Sequence, residues 1–72
     1  MKMDSYTAIG ILDGFVEPES ALDVIRAYVF IAEHGPRGVL AGSGTQRALY
    51  VAAYAKEHGE ECAAEALESG DL

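Results

Sequence analysis

The chain is short of everything that would make it an enzyme, a nucleic-acid binder or a membrane protein. It has one cysteine, Cys62, so no disulfide can form within it, which fits a reducing compartment. No run approaches the roughly 20 apolar residues of a membrane span, and the Met1-Lys2-Met3-Asp4 opening lacks the apolar stretch of a secretion signal. The reading is a cytoplasmic protein. Cations are scarce: five Lys and Arg face twelve Asp and Glu, a formal net charge of −7. That sign disfavours direct binding to DNA, RNA or anionic lipid and favours basic protein surfaces. Proline occurs twice and tryptophan not at all.

Patterns that carry chemistry are equally sparse. His58 and Cys62 stand four residues apart, with Glu61 and His34 as further potential ligands, but a structural zinc site needs four ligands in recognisable spacing. Gly59 lies between the pair and breaks the helix that would align them. Gly42-Ser43-Gly44-Thr45 precedes a helix, yet a phosphate loop needs a strand before it and Gly-Lys-Ser/Thr within it. No Ser/His/Asp, Cys/His or paired-carboxylate arrangement suggests catalysis. We therefore expect no enzyme, no metal and no cofactor.

What is present is helix. Half of the 72 residues are apolar, enough for one small domain over residues 1–72. Residues 5–15 read as a helix capped by Asp4 or Ser5, with Ile9, Leu12 and Phe15 at helical spacing; Thr and Ile leave a strand open, but nothing could pair with it. Residues 18–34 read as the central helix. Pro18 suits a first helical position, and Glu17, Glu19 and Asp23 suit the positive end of the dipole. Leu22, Ile25, Val29 and Ala32 line one face, widened by Ala21, Val24, Tyr28 and Ile31, as expected of a helix covered on several sides. After a Gly-rich connector with a Val39-Leu40 plug at 35–44, a helix at 45–58 turns Ala48, Val51, Ala52 and Ala55 inward. Its Tyr50 and Tyr54, one turn apart, either pack with wet hydroxyls or form a contact surface. Residues 60–68 read as a last short helix with Cys62, Ala63, Ala66 and Leu67 on its apolar face. The repeated Glu-His-Gly at 33–35 and 57–59 reads as two helix stops, each with glycine in the left-handed conformation. The fold class is all-α: a bundle of three to four short helices around the one at 18–34.

The charges run acidic, basic, acidic. Asp4, Asp13, Glu17, Glu19, Asp23 and Glu33 precede His34; Arg37, Arg47 and Lys56 fill the middle; Glu57, Glu60, Glu61, Glu65, Glu68 and Asp71 close the chain. One reading is solvated helix faces. The sharper one is an acidic surface that copies a phosphate backbone, with Asp13, Glu17, Glu19, Asp23, Glu57, Glu60, Glu61, Glu65 and Glu68 as its partner-binding residues.

The span 12–58 resembles a group of very small phage-encoded helical proteins of uncharacterised function. Their acidic opening corresponds to Leu12–Glu19, and their Gly-terminated amphipathic helix to Ala21–Gly35. Leu40, Gly42, Ser43 and Ala48 match their connector and the start of their Ala/Leu-rich helix. The Trp that usually precedes the Leu is absent, Arg47 falls one place late, and the segment after Gly59 has no counterpart. The resemblance implies a phage or mobile-element origin, action in the cytoplasm of an infected bacterium, and a short helical fold; it transfers no functional residue. Small size, acidity and the absence of a catalytic set then suggest a non-catalytic inhibitor of a bacterial defence complex, in its most specific form an anti-CRISPR protein acting on a surveillance complex. The alternative is a homo-oligomeric phage structural or regulatory protein.

Overall fold

The computed structural model describes residues 2–34 and 43–72, and within them the chain is all-helical. The order is α1 (Ser5–Asp13), α2 (Ala21–His34), α3 (Ser43–His58) and α4 (Glu60–Ser69). Gly35, Arg37 and the Val39-Leu40 plug lie outside the described residues. Helix α2 is central: α1, α3 and α4 all pack on it, α3 and α4 also pack on each other, and α1 and α4 do not meet.

Each helix boundary has a local cause. Asp4 caps α1, its Oδ1 accepting the Thr7 N–H at 2.7 Å. At the other end Gly14 adopts φ 86°, and the Phe15 N–H reaches back to the Gly10 carbonyl at 2.8 Å while the Gly14 N–H bonds Ile11. This is the paired Schellman closure, and α4 repeats it at Gly70, with Asp71 N–H on the Ala66 carbonyl at 2.9 Å. Phe15 therefore lies beyond α1 rather than on its apolar stripe, and it is 86 % exposed.

Helix α2 begins at Ala21 and not at Pro18. The Asp23 carboxylate accepts the Glu19 N–H at 3.0 Å, and the Asp23 N–H bonds the Ser20 carbonyl at 3.1 Å. This acid in the first turn reaches back to an N–H outside the helix, as the acid of a capping box does. It fixes the start three residues after the proline.

The joint between α3 and α4 is the single residue Gly59. Its N–H bonds the Ala55 carbonyl at 2.7 Å, ending α3, and its own carbonyl accepts the Ala63 N–H at 3.0 Å, starting α4. The backbone there sits at φ 96°, ψ 150°. That is not the left-handed helical conformation expected of the Glu-His-Gly stop but a region essentially reserved for glycine. The ψ differs because the chain must leave one helix and enter the next within one residue, instead of closing a helix into a loop.

The core has two parts, and α2 serves both. Ala8, Ile11, Ala27, Ile31 and Ala48 join α1, α2 and α3. Ile25, Val51, Ala55, Ala63 and Ala64 join α2, α3 and α4. Most of these residues are alanines, so the helices approach closely and bury little side-chain volume each; Ile25 and Val51 are the largest side chains fully enclosed. Gly10 extends the same logic to α1, because a Cβ there would stand 2.5 Å from Val16 Cγ2. The radius of gyration, 11.1 Å, is that of a compact domain of this length.

Candidate docking surfaces

Acidic residues occur on all four helices. On α4, Glu61, Glu65 and Glu68 follow at intervals of four and three, which places them in one stripe along the helix. All are exposed, because Ala63, Ala64 and Ala66 take the buried side. The sequence reading put Cys62 on that apolar face; its thiol is exposed instead. Centring the buried face on Ala63 and Ala64 rotates position 62 to the edge.

Glu60 behaves differently from its neighbours. It meets Arg26 of α2 at 3.5 Å, with both side chains more than 40 % exposed. Such a pair is worth at most about 1 kcal/mol, but it orients both groups over the α3–α4 joint. A cleft of about 580 Å³ opens there, lined by Arg26, His58, Glu60, Glu61, Cys62 and Glu65 among others. His58 packs against Tyr54 with ring centroids 4.5 Å apart and the planes tilted by 43°, and α2 repeats the arrangement with Phe30 and His34. Desolvation raises the Tyr54 phenol above its ordinary value of 10.0, and the nearby Cys62 thiol adds to the shift. Among the described residues no set of three His, Cys, Asp or Glu is gathered as a metal ion would require.

On the first helix, Asp13 closes α1 and Glu17 follows in the turn; both are exposed. Glu19 is exposed too, its backbone held by Asp23. Asp23 itself is only 7 % exposed. It was expected on the partner-binding face, but it serves as a backbone acceptor at the start of α2 and presents no charge to a partner. The expected set of nine is thus spread over α1, the turn after it, the first turn of α2, the end of α3 and α4, and α1 and α4 do not pack together.

Two cations of α3 lie in different settings. Arg47 donates to the Leu72 carbonyl at 3.0 Å and lies 5.7 Å from the centre of the Tyr28 ring. Lys56 lines a second cleft, of about 540 Å³ between α2 and α3, with Val29, Glu33, Leu49, Ala52 and Ala53. Leu49 is 49 % exposed there.

A third cleft went unrecognised in the sequence. Tyr6 and Phe15 flank a space of about 260 Å³ against Ile9, Gly10, Asp13 and Val16. The only signal for it was an aromatic residue placed just after a helix-ending glycine.

These features define a small acidic four-helix domain with open surface clefts; no described helix is long and apolar enough to cross a membrane. Compared with family models, curated proteins and solved structures, the chain matches none of them, so its function must be argued from these surfaces alone.

Proposed function

We propose that the protein acts by docking, without a catalytic step, and that the Glu61–Glu65–Glu68 stripe of α4 is the face that meets a basic partner. One observation carries this reading: the stripe is exposed along a helix whose opposite side is anchored in the core, so its charges are held in fixed register, with no ion pair to a cation among the described residues. Carboxylates one turn apart on a rigid rod offer a Lys/Arg-lined groove a substitute for phosphates. They would speed association and make it salt-sensitive. With the likeness to small phage proteins, the partner of choice is a bacterial defence complex that grips nucleic acid, and the most specific form is inhibition of a CRISPR surveillance complex. Expression in a CRISPR-immune bacterial strain tests it. Restored plating of the targeted phage, lost in a folded Glu61→Gln/Glu65→Gln/Glu68→Gln variant, supports the proposal. Unchanged immunity across CRISPR types, or full inhibition by the triple variant, rejects it.

The α2–α3 cleft favours a second reading, self-association, because Val29, Leu49, Ala52 and Ala53 leave apolar surface open beside both a carboxylate and an ammonium group. A stable dimer in sedimentation equilibrium, abolished by Leu49→Lys, would establish it; a monomer over the same concentration range would exclude it.

A further inference from the structure

The turn after α1 displays apolar surface that the fold does not use. In a Schellman closure the residue after the glycine commonly packs back on the helix position that receives its N–H. In α1 that position is Gly10, which has no side chain, and Val16 fills the room beside it. Phe15 is thereby released from its usual contact and stands 86 % exposed, and Tyr6 on the other side of the cleft stands 84 % exposed. Neither ring belongs to a core cluster. Two aromatic side chains flanking an open cleft, on a molecule with so few of them, form the kind of surface that contacts are built on.

The charge around the cleft selects its occupant. From Met3 to Ile25 the chain contains no Lys, Arg or His. Asp13 stands on the cleft wall and Glu17 follows Val16, and neither has a cationic partner among the described residues. A second copy docked by this patch would bring like charges together, and nucleic acid would be repelled. A cationic protein segment would gain from both features.

We infer that the cleft between Tyr6 and Phe15 binds a cationic protein segment that inserts one large apolar side chain between the rings and sets Lys or Arg against Asp13 and Glu17. This inference shares the docking reading but rests on a surface distinct from the α4 stripe. The two fail separately, since the experiment below reads residues 6–17 and needs no defence complex.

The test is titration of the ¹⁵N-labelled full chain with a synthetic helical peptide carrying Leu and Arg on one face, followed by amide shifts. Expected are shifts centred on residues 6–17, an affinity lower by about tenfold or more in Phe15→Ser, and a smaller loss in Asp13→Asn that disappears at high salt. Phe15→Ser should melt like the parent, because the ring packs on nothing in the core. Tyr50→Ser, which removes an aromatic exposed to 57 % on α3, should bind as the parent does. A matched peptide with Leu replaced by Ser should not bind. Equal binding by Phe15→Ser, shifts centred on α4, or no binding would overturn the inference. So would Tyr6 and Phe15 shifts that change on dilution without peptide, which would assign the cleft to a second copy.

Discussion

Replacing Gly59 by alanine tests the joint on which the α3–α4 packing depends. The residue sits at φ 96°, ψ 150°, where a side-chain-bearing residue pays about 1–3 kcal/mol in backbone strain. A Cβ built there meets nothing within 4 Å, so no steric clash adds to that figure. Alanine also restricts the unfolded chain, which offsets about 0.4–1 kcal/mol. The net loss should be about 1–2 kcal/mol. A 72-residue domain has roughly 4–11 kcal/mol in total, at about 0.05–0.15 kcal/mol per residue. In a melt followed by helical circular dichroism, the midpoint should fall by about 5–15 °C, taking about 4–8 °C per kcal/mol for this size. The comparison with Gly14 sharpens the test. Gly14 has φ 86°, ψ 11°, a left-handed helical geometry that asparagine tolerates. Gly14→Asn should therefore be mild, whereas Gly59→Asn should be as harmful as Gly59→Ala, since ψ 150° is not that geometry. A Gly59→Ala protein as stable as the parent would refute the reasoning. So would a Gly59→Asn protein matching Gly14→Asn.

Other outcomes follow from the same geometry. Gly10→Ala drives a methyl to 2.5 Å from Val16 Cγ2 and should cost about 1–3 kcal/mol by overpacking; adding Val16→Ala should recover part of that, and a double-mutant cycle in urea measures the coupling. Ile25→Ala, at a fully enclosed position, should lose about 2–5 kcal/mol, roughly half of the stability of the whole domain, and its urea transition should shift to low denaturant. Hydrogen bonding to the Thr7 N–H and hydroxyl holds the Asp4 carboxyl below its ordinary 3.8. A depressed folded pKa means that this stabilisation is complete above about 3.8 and is lost as pH falls through the lower folded value. Asp4→Asn should therefore flatten part of the acid limb of the stability–pH profile and leave its neutral limb parallel to the parent.

The helices were legible because their signals are local and redundant. Asp4, the apolar spacing of Ile25, Val29 and Ala32, and the run from Ala48 to Ala55 each point to the same period, and α2 emerged as the central element because its apolar residues exceed one face. What misled was competition between signals of the same kind. Pro18 and Asp23 both mark a helix start, and only the hydrogen bond from Glu19 to Asp23 decides between them. The same bond converts an apparent surface charge into an internal acceptor. Phe15 kept the three-residue spacing of Ile9 and Leu12, but Gly14 had already ended the helix, and periodicity continued past a break has no structural meaning. Cys62 and Ala64 exchange places for a subtler reason. In an alanine-rich helix the hydrophobic contrast between faces is small, so the partner's shape rather than the pattern sets the rotation.

Helix pairs that meet through Ala27, Ala48, Ala55 and Ala63 enclose little side-chain volume; Tyr28, Phe30 and Tyr54 pack against the margins of the core, and Tyr6, Phe15 and Tyr50 stand exposed. Two of these rings, Tyr6 and Phe15, stand near Asp13 and Glu17, which have no cationic partner among the described residues. Such a surface is poorly suited to solitary existence, since aromatic area in water contributes nothing to folding, and well suited to adhesion, where the same area is buried on contact. Acidity then supplies the selection that apolar surface alone lacks. On the docking reading proposed above, carboxylates beside the rings would favour cationic segments over acidic ones. Any partner of the α1 cleft must carry Lys or Arg beside an exposed apolar side chain, and removing either half should weaken the complex.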